Sequence, residues 1–122
     1  MPPTRRDPSP YLPLTAPMYH VLVALADEEQ HGYAIIKTVA RQTADKVVLS
    51  TGTLYGIIKR LLVEQMIVES ARRPAAANDD ERRRYYRITD FGRRVAIAEA
   101  ERLEKMVAVA RAARLLDAPG RA

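Results

Sequence analysis

Cysteine and tryptophan are absent from the 122 residues, and phenylalanine occurs once. Without thiols there are no disulfides, thiolate metal sites or cysteine nucleophiles. The five glycines form no glycine-rich loop pattern that could cradle a phosphate. Proline is confined: five of eight lie within Met1–Pro13, and none occurs between Met18 and Arg73. No run approaches the ~20 apolar residues that span a bilayer. Arg5 and Arg6 are followed by proline-rich sequence rather than an apolar signal core. The two histidines, His20 and His31, stand in no ligand or catalytic spacing. The run Asp79, Asp80 and Glu81 falls in a loop and reads as solvated charge rather than a cation cage. An enzyme, a metal site and a cofactor are therefore not expected.

What is present is a small basic domain. Twenty Lys+Arg against fifteen Asp+Glu give a formal charge of +5, and 48% hydrophobic residues can bury one core. Excess positive charge favours an anionic partner without identifying it, and the expected location is cytoplasmic.

Hydrophobic spacing orders the elements. Thr15 is placed to cap a helix to Asp27, with Pro17 in its first turn and Met18, Val21, Leu22 and Leu25 on one stripe. A second helix is predicted over Tyr33–Gln42 with Ile35, Ile36 and Val39 inward. Lys46-Val47-Val48-Leu49 reads as a small strand or an extended link. Ser50 or Thr51 caps a third helix to about Gln65, whose buried stripe is Leu54, Ile57, Ile58, Leu61 and Leu62. Ile67–Glu69 and Tyr85–Ile88 make a long hairpin around Arg72–Arg84. Thr89 then caps a helix reaching about Leu116, roughly 40 Å at 1.5 Å per residue. The order predicts a mainly α chain with a small β-hairpin: a winged helix-turn-helix over 14–89 and a long C-terminal dimerisation helix over 90–117. A flexible proline-rich arm (1–13) and a frayed tail (118–122) flank them.

In that architecture the third helix enters the major groove and the hairpin reaches neighbouring backbone. Its N-terminal half and exposed side supply Ser50, Thr51, Thr53, Tyr55, Gly56, Lys59 and Arg60. Hydroxyls there can bond phosphates or base edges, and a residue without a side chain permits close approach. Tyr33 and Lys37, with Arg41 one turn further along the second helix, stand beside this surface. Arg82, Arg83 and Arg84 supply guanidinium groups for phosphates or a minor groove. The competing reading is an ordinary amphipathic helix and a solvated loop partly neutralised by its own acids. On the last helix, Ala96, Ala100, Leu103, Met106, Val107 and Ala110 form a seam broader than one small domain needs. It suggests pairing with a second copy, a homodimer suited to a two-fold operator.

The blocks Leu25-Ala26, His31-Gly32-Tyr33-Ala34-Ile35, Gly52-Thr53-Leu54-Tyr55-Gly56 and Tyr85-Tyr86-Arg87-Ile88-Thr89-Asp90-Phe91-Gly92-Arg93 occur in order. Together they resemble the PadR family of transcriptional regulators over about Leu14 to Leu116. The resemblance implies a winged-helix repressor that dimerises through its C-terminal helix and binds double-stranded operator DNA, often upstream of its own gene. A small-molecule inducer can release the DNA in such proteins. Gly56 stands where many relatives carry proline, and a single C-terminal helix matches the shorter subgroup. The missing tryptophan rules out a tryptophan-lined drug pore. Two rival readings remain beside it: a protein-interaction module on the same scaffold, and an effector-sensing dimer.

Overall fold

The computed structural model describes residues 6–70 and 84–117. A 3-10 turn, Ser9–Tyr11, precedes α1 (Ala16–Asp27), β1 (Gln30–His31), α2 (Gly32–Gln42) and α3 (Thr51–Val63). Then come β2 (Ile67–Glu69), β3 (Tyr85–Ile88) and α4 (Asp90–Ala112). The chain is mainly helical, with a small sheet in the order β1-β3-β2. Both pairings are antiparallel, with Gln30 opposite Tyr86 and Ile67 opposite Ile88.

Each helix starts where a side chain accepts a first-turn amide. The Thr15 hydroxyl accepts from the Met18 N–H at 3.3 Å, and the Thr89 hydroxyl from the Gly92 N–H at 2.9 Å. Ser50 accepts from the Thr53 N–H at 3.2 Å. His31 does the same for α2, its Nδ1 accepting from the Ala34 N–H at 3.2 Å. Its Nδ1 thus serves as the cap of this helix.

The core joins Val21, Leu22 and Leu25 of α1 with Ile35 and Val39 of α2, and Leu54, Ile58 and Leu61 of α3. Met66, Ile67, Tyr86, Ile88, Val95 and Ala96 close it. Each fully buried large side chain contributes about 1.5–3 kcal/mol of transfer free energy. Gln30 is polar and buried, yet satisfied: its amide donates to the Ala24 carbonyl, and its oxygen accepts from the Thr38 hydroxyl, both at 2.7 Å. That pair locks α1, β1 and α2 together.

Several boundaries differ from the sequence-based expectation. The segment 46–49 joins no strand, which leaves the link of the two alternatives read from its sequence. The third strand is instead Gln30–His31, which is too short to show alternation. The turn before the link places Ala44 and Asp45 in the left-handed region, at φ 50° and 62°. Thr43 holds this turn, its hydroxyl donating to the Val39 carbonyl (2.8 Å) and accepting from the Val47 N–H (3.0 Å). Leu62 is exposed, because the buried stripe of α3 runs through Leu54, Ile58 and Leu61. Helix α4 stops at Ala112 rather than Leu116, since Arg114 turns left-handed (φ 65°) and the Leu115 N–H bonds back to the Ala110 carbonyl at 2.9 Å.

Candidate nucleic-acid interface

Helix α3 turns its core stripe inward and leaves a face on which Gly52, Gly56, Lys59 and Val63 follow one another at i, i+4, i+7 and i+11, all exposed. A Cβ added at Gly52 or Gly56 would meet nothing within 4 Å. This face is open space lined by bare backbone, with one ammonium group beyond it. At its start, Ser50 donates to the Thr53 hydroxyl at 2.9 Å, so these two are tied to each other as well as to the cap. Thr51 is exposed beside them. The positive end of the α3 dipole lies here, where a phosphate is favoured.

Tyr55 is not a free member of this face. It is half-buried against the core, and its hydroxyl would lie 2.6 Å from a Cβ at Gly32. The ring therefore packs the start of α2 against α3, and Tyr33, the next residue of α2, is 57% exposed. Beneath this contact burial raises the pKa of Tyr86, with Tyr55 and Glu69 adding to the shift.

The remaining candidates divide. Lys37 and Arg41 follow Tyr33 at four-residue steps, exposed, and line a groove of about 330 Å³ shared with Glu28, Glu29, His31 and Tyr85. That groove carries both signs of charge. Arg60, one residue on from Lys59, is turned about 100° from it around α3, to the edge of this face. It lies 3.9 Å from Glu64 and lines a hollow of about 310 Å³ with Pro10, Tyr11, Leu14 and Met18. Arg84 lies 3.7 Å from Glu69, both partly exposed. Arg82 and Arg83 lie outside the described residues.

On α4, Ala96 packs into the chain's own core, which removes it from the seam. Ala100, Met106 and Val107 are exposed, while Leu103 and Ala110 are partly covered. From Glu104 to Val109 every residue is exposed, and Ile97, Met106 and Val109 carry bare apolar surface.

Two features escaped the sequence reading. Glu99 is 2% exposed, yet paired: Arg102 donates to both of its oxygens at 2.6 and 3.0 Å. Arg102 holds the carboxyl below its ordinary pKa, and an N–H bond from Leu14 adds to this. The i, i+3 spacing of Glu99 and Arg102 was the available signal. Arg6 is the second feature, packed at the junction of α3 and α4 with no motif to announce it.

Among the described residues no three His, Asp or Glu side chains are grouped to hold a metal ion. Among the same residues no helix is long and apolar enough to cross a membrane.

No curated protein sequence matches the chain. It is similar in structure to a transcriptional regulator from Clostridium thermocellum, at 27% identity and a TM-score of 0.62, over 77% of this chain and 85% of that one. RosR of H. salinarum shares the fold at 22% identity and a TM-score of 0.58, over 84% and 98% of the two chains. So does Bacillus subtilis PadR, solved in complex with operator DNA, at 20% identity and a TM-score of 0.59, over 75% of this chain and 48% of that one. The sequence model of the transcriptional regulator PadR-like family matches residues 21–98. With the winged-helix order and its capped third helix, the chain belongs to the PadR-like family of transcriptional regulators, which are not enzymes.

Proposed function

We propose that the protein is a dimeric repressor that acts in the cytoplasm on a pseudo-palindromic operator, with α3 in the major groove. The observation that carries this reading is the open face of α3, where Gly52 and Gly56 leave room for a groove wall and Lys59 lies beyond them. Thr51, Thr53 and Lys59 meet base edges or phosphates; Ser50 holds the cap, and Tyr55 orients the helix from behind. Tyr33 and Lys37 flank the backbone, and Arg82, Arg83 and Arg84 grip it from the hairpin. Arg60, drawn toward Glu64, contributes less than Lys59. Ala100, Leu103, Met106, Val107 and Ala110 join two copies, supported by the apolar surface that α4 leaves exposed past Leu103.

Fluorescence anisotropy with the duplex just upstream of this gene and with a scrambled duplex, over several salt concentrations, tests the reading. A gap of about 10³ at physiological salt is expected. Equal, weak binding with a steep salt slope overturns it in favour of non-specific attraction. Arg83→Ala is expected to weaken all duplexes alike and lower the salt slope by about 1.

A second reading, an effector-sensing dimer, is favoured by the hollow of about 310 Å³ beside Arg60, because its walls include α3 itself. Protection of that hollow by an added small molecule, with release of DNA, is the result it requires.

A further inference from the structure

The C-terminal end of α3 is tied to the start of α4 carbonyl by carbonyl. The Glu64 oxygen accepts from Arg6 Nη1 at 2.8 Å. The Gln65 oxygen accepts from the Thr89 hydroxyl at 2.7 Å, and the Met66 oxygen from the Thr89 N–H at 3.0 Å. Thr89 is itself the cap of α4. The Glu64 oxygen belongs to the cap of α3, at an end that leaves such oxygens without internal partners and favours a cation, while the other two belong to the turn that follows.

Arg6 completes the joint from outside. Its guanidinium lies 4.0 Å from the centre of the Phe91 ring and 3.7 Å from the Glu64 carboxylate. It also donates to Tyr11, whose ring meets Phe91 edge-on at 5.4 Å. Arg94, one turn into α4, donates back to the Arg6 carbonyl. One side chain therefore touches the last turn of α3 and the first turn of α4. Away from this joint, α4 packs mainly on α1 and β3.

We propose that Arg6 is a positioning residue for operator spacing: it fixes the angle between the helix that enters DNA and the helix that joins two copies. This rests on the dimeric DNA-binding reading above. Leverage gives it force. Over the 23 residues of α4, about 35 Å, a change of about 10° at the joint moves the far end by about 6 Å. One base pair rises 3.4 Å, about half as much. A loosened joint thus admits half-sites in more than one spacing while leaving each α3 surface unchanged.

The test uses full-length protein and duplexes selected by the wild type from a random pool. Three probes follow from them: the selected full site, the same site with one base pair inserted at its centre, and an isolated half-site. Arg6→Ala keeps half-site affinity within about twofold and lowers the preference for the selected spacing roughly tenfold, the scale of a cation–π contact plus a charge-assisted hydrogen bond. Arg6→Lys, which keeps charge but not the fork, falls between. Phe91→Leu removes the ring face and repeats the Arg6→Ala pattern, which decides the matter if Arg6→Ala does not fold. An unchanged spacing preference in folded variants overturns the proposal. So does a loss of equal size on all three probes. A wild type indifferent to spacing overturns the dimeric reading itself, and this one with it.

Discussion

The two ends of α3 are built to opposite specifications, and the glycines mark the difference. Gly52 and Gly56, on the N-terminal half, have nothing within 4 Å of where a Cβ would be. Gly92, which packs on the turn following the C-terminal end, has no such room: a Cβ there overlaps the Met66 carbonyl oxygen. Gly32 is intermediate, crowded by the far end of the Tyr55 side chain. One end of the helix is open to another molecule, and the other is closed by this one. A glycine in a helix costs about 1 kcal/mol relative to alanine. At Gly92 that cost permits helix-to-turn contact; at Gly56 it has no counterpart inside the chain.

That contrast is breakable by substitution. Gly92→Ala sets a methyl against backbone that cannot swing aside, so an expected loss of about 3 kcal/mol should appear as a lower urea midpoint. Lys59→Ala should leave that midpoint in place and cost about 1–3 kcal/mol of binding to the preferred duplex, with the margin set by the base opposite it. Equal losses on preferred and random DNA would remove Lys59 from base readout.

Glu99 sharpens the contrast from the closed side. Its folded-state pKa is depressed, so the stability it supplies is fully present above the ordinary glutamate value of 4.5 and is lost as pH falls through the folded value. Glu99→Gln should therefore flatten the acid limb of stability, visible as a smaller difference between melting temperatures at about pH 6 and pH 3. The smallest effect belongs to Gly56→Ala. Folding should gain at most about 1 kcal/mol, while the added methyl weakens DNA binding. A variant that is more stable and binds as before would show that the bare face touches nothing.

Much of this fold was legible because caps and stripes are local. Thr15, Ser50 and Thr89 announce their helices by residue type, and the spacing of Leu54, Ile58 and Leu61 announces the buried face. Strand β1 was not legible, since two residues contain no period; Tyr85 and Tyr86 across the sheet define it. Arg60 and Lys59 look alike in sequence, and one residue of helical rotation separates an ion pair with Glu64 from the open face. Ala96 belongs to the same spacing as Ala100, but the body of the domain ends between them. Arg6 could not be read at all, because its partners lie 58 and 85 residues away in Glu64 and Phe91.

The sparse face of α3 also bears on how much sequence one protomer can distinguish. In the proposed complex the two glycines offer a base edge no side chain, so each half-site rests on Thr51, Thr53 and Lys59 and carries little information. On the dimeric reading proposed above, such a regulator finds its address in a genome by the geometry of two weak readings rather than the richness of either, and its rigid parts become as much a part of recognition as the side chains that touch DNA.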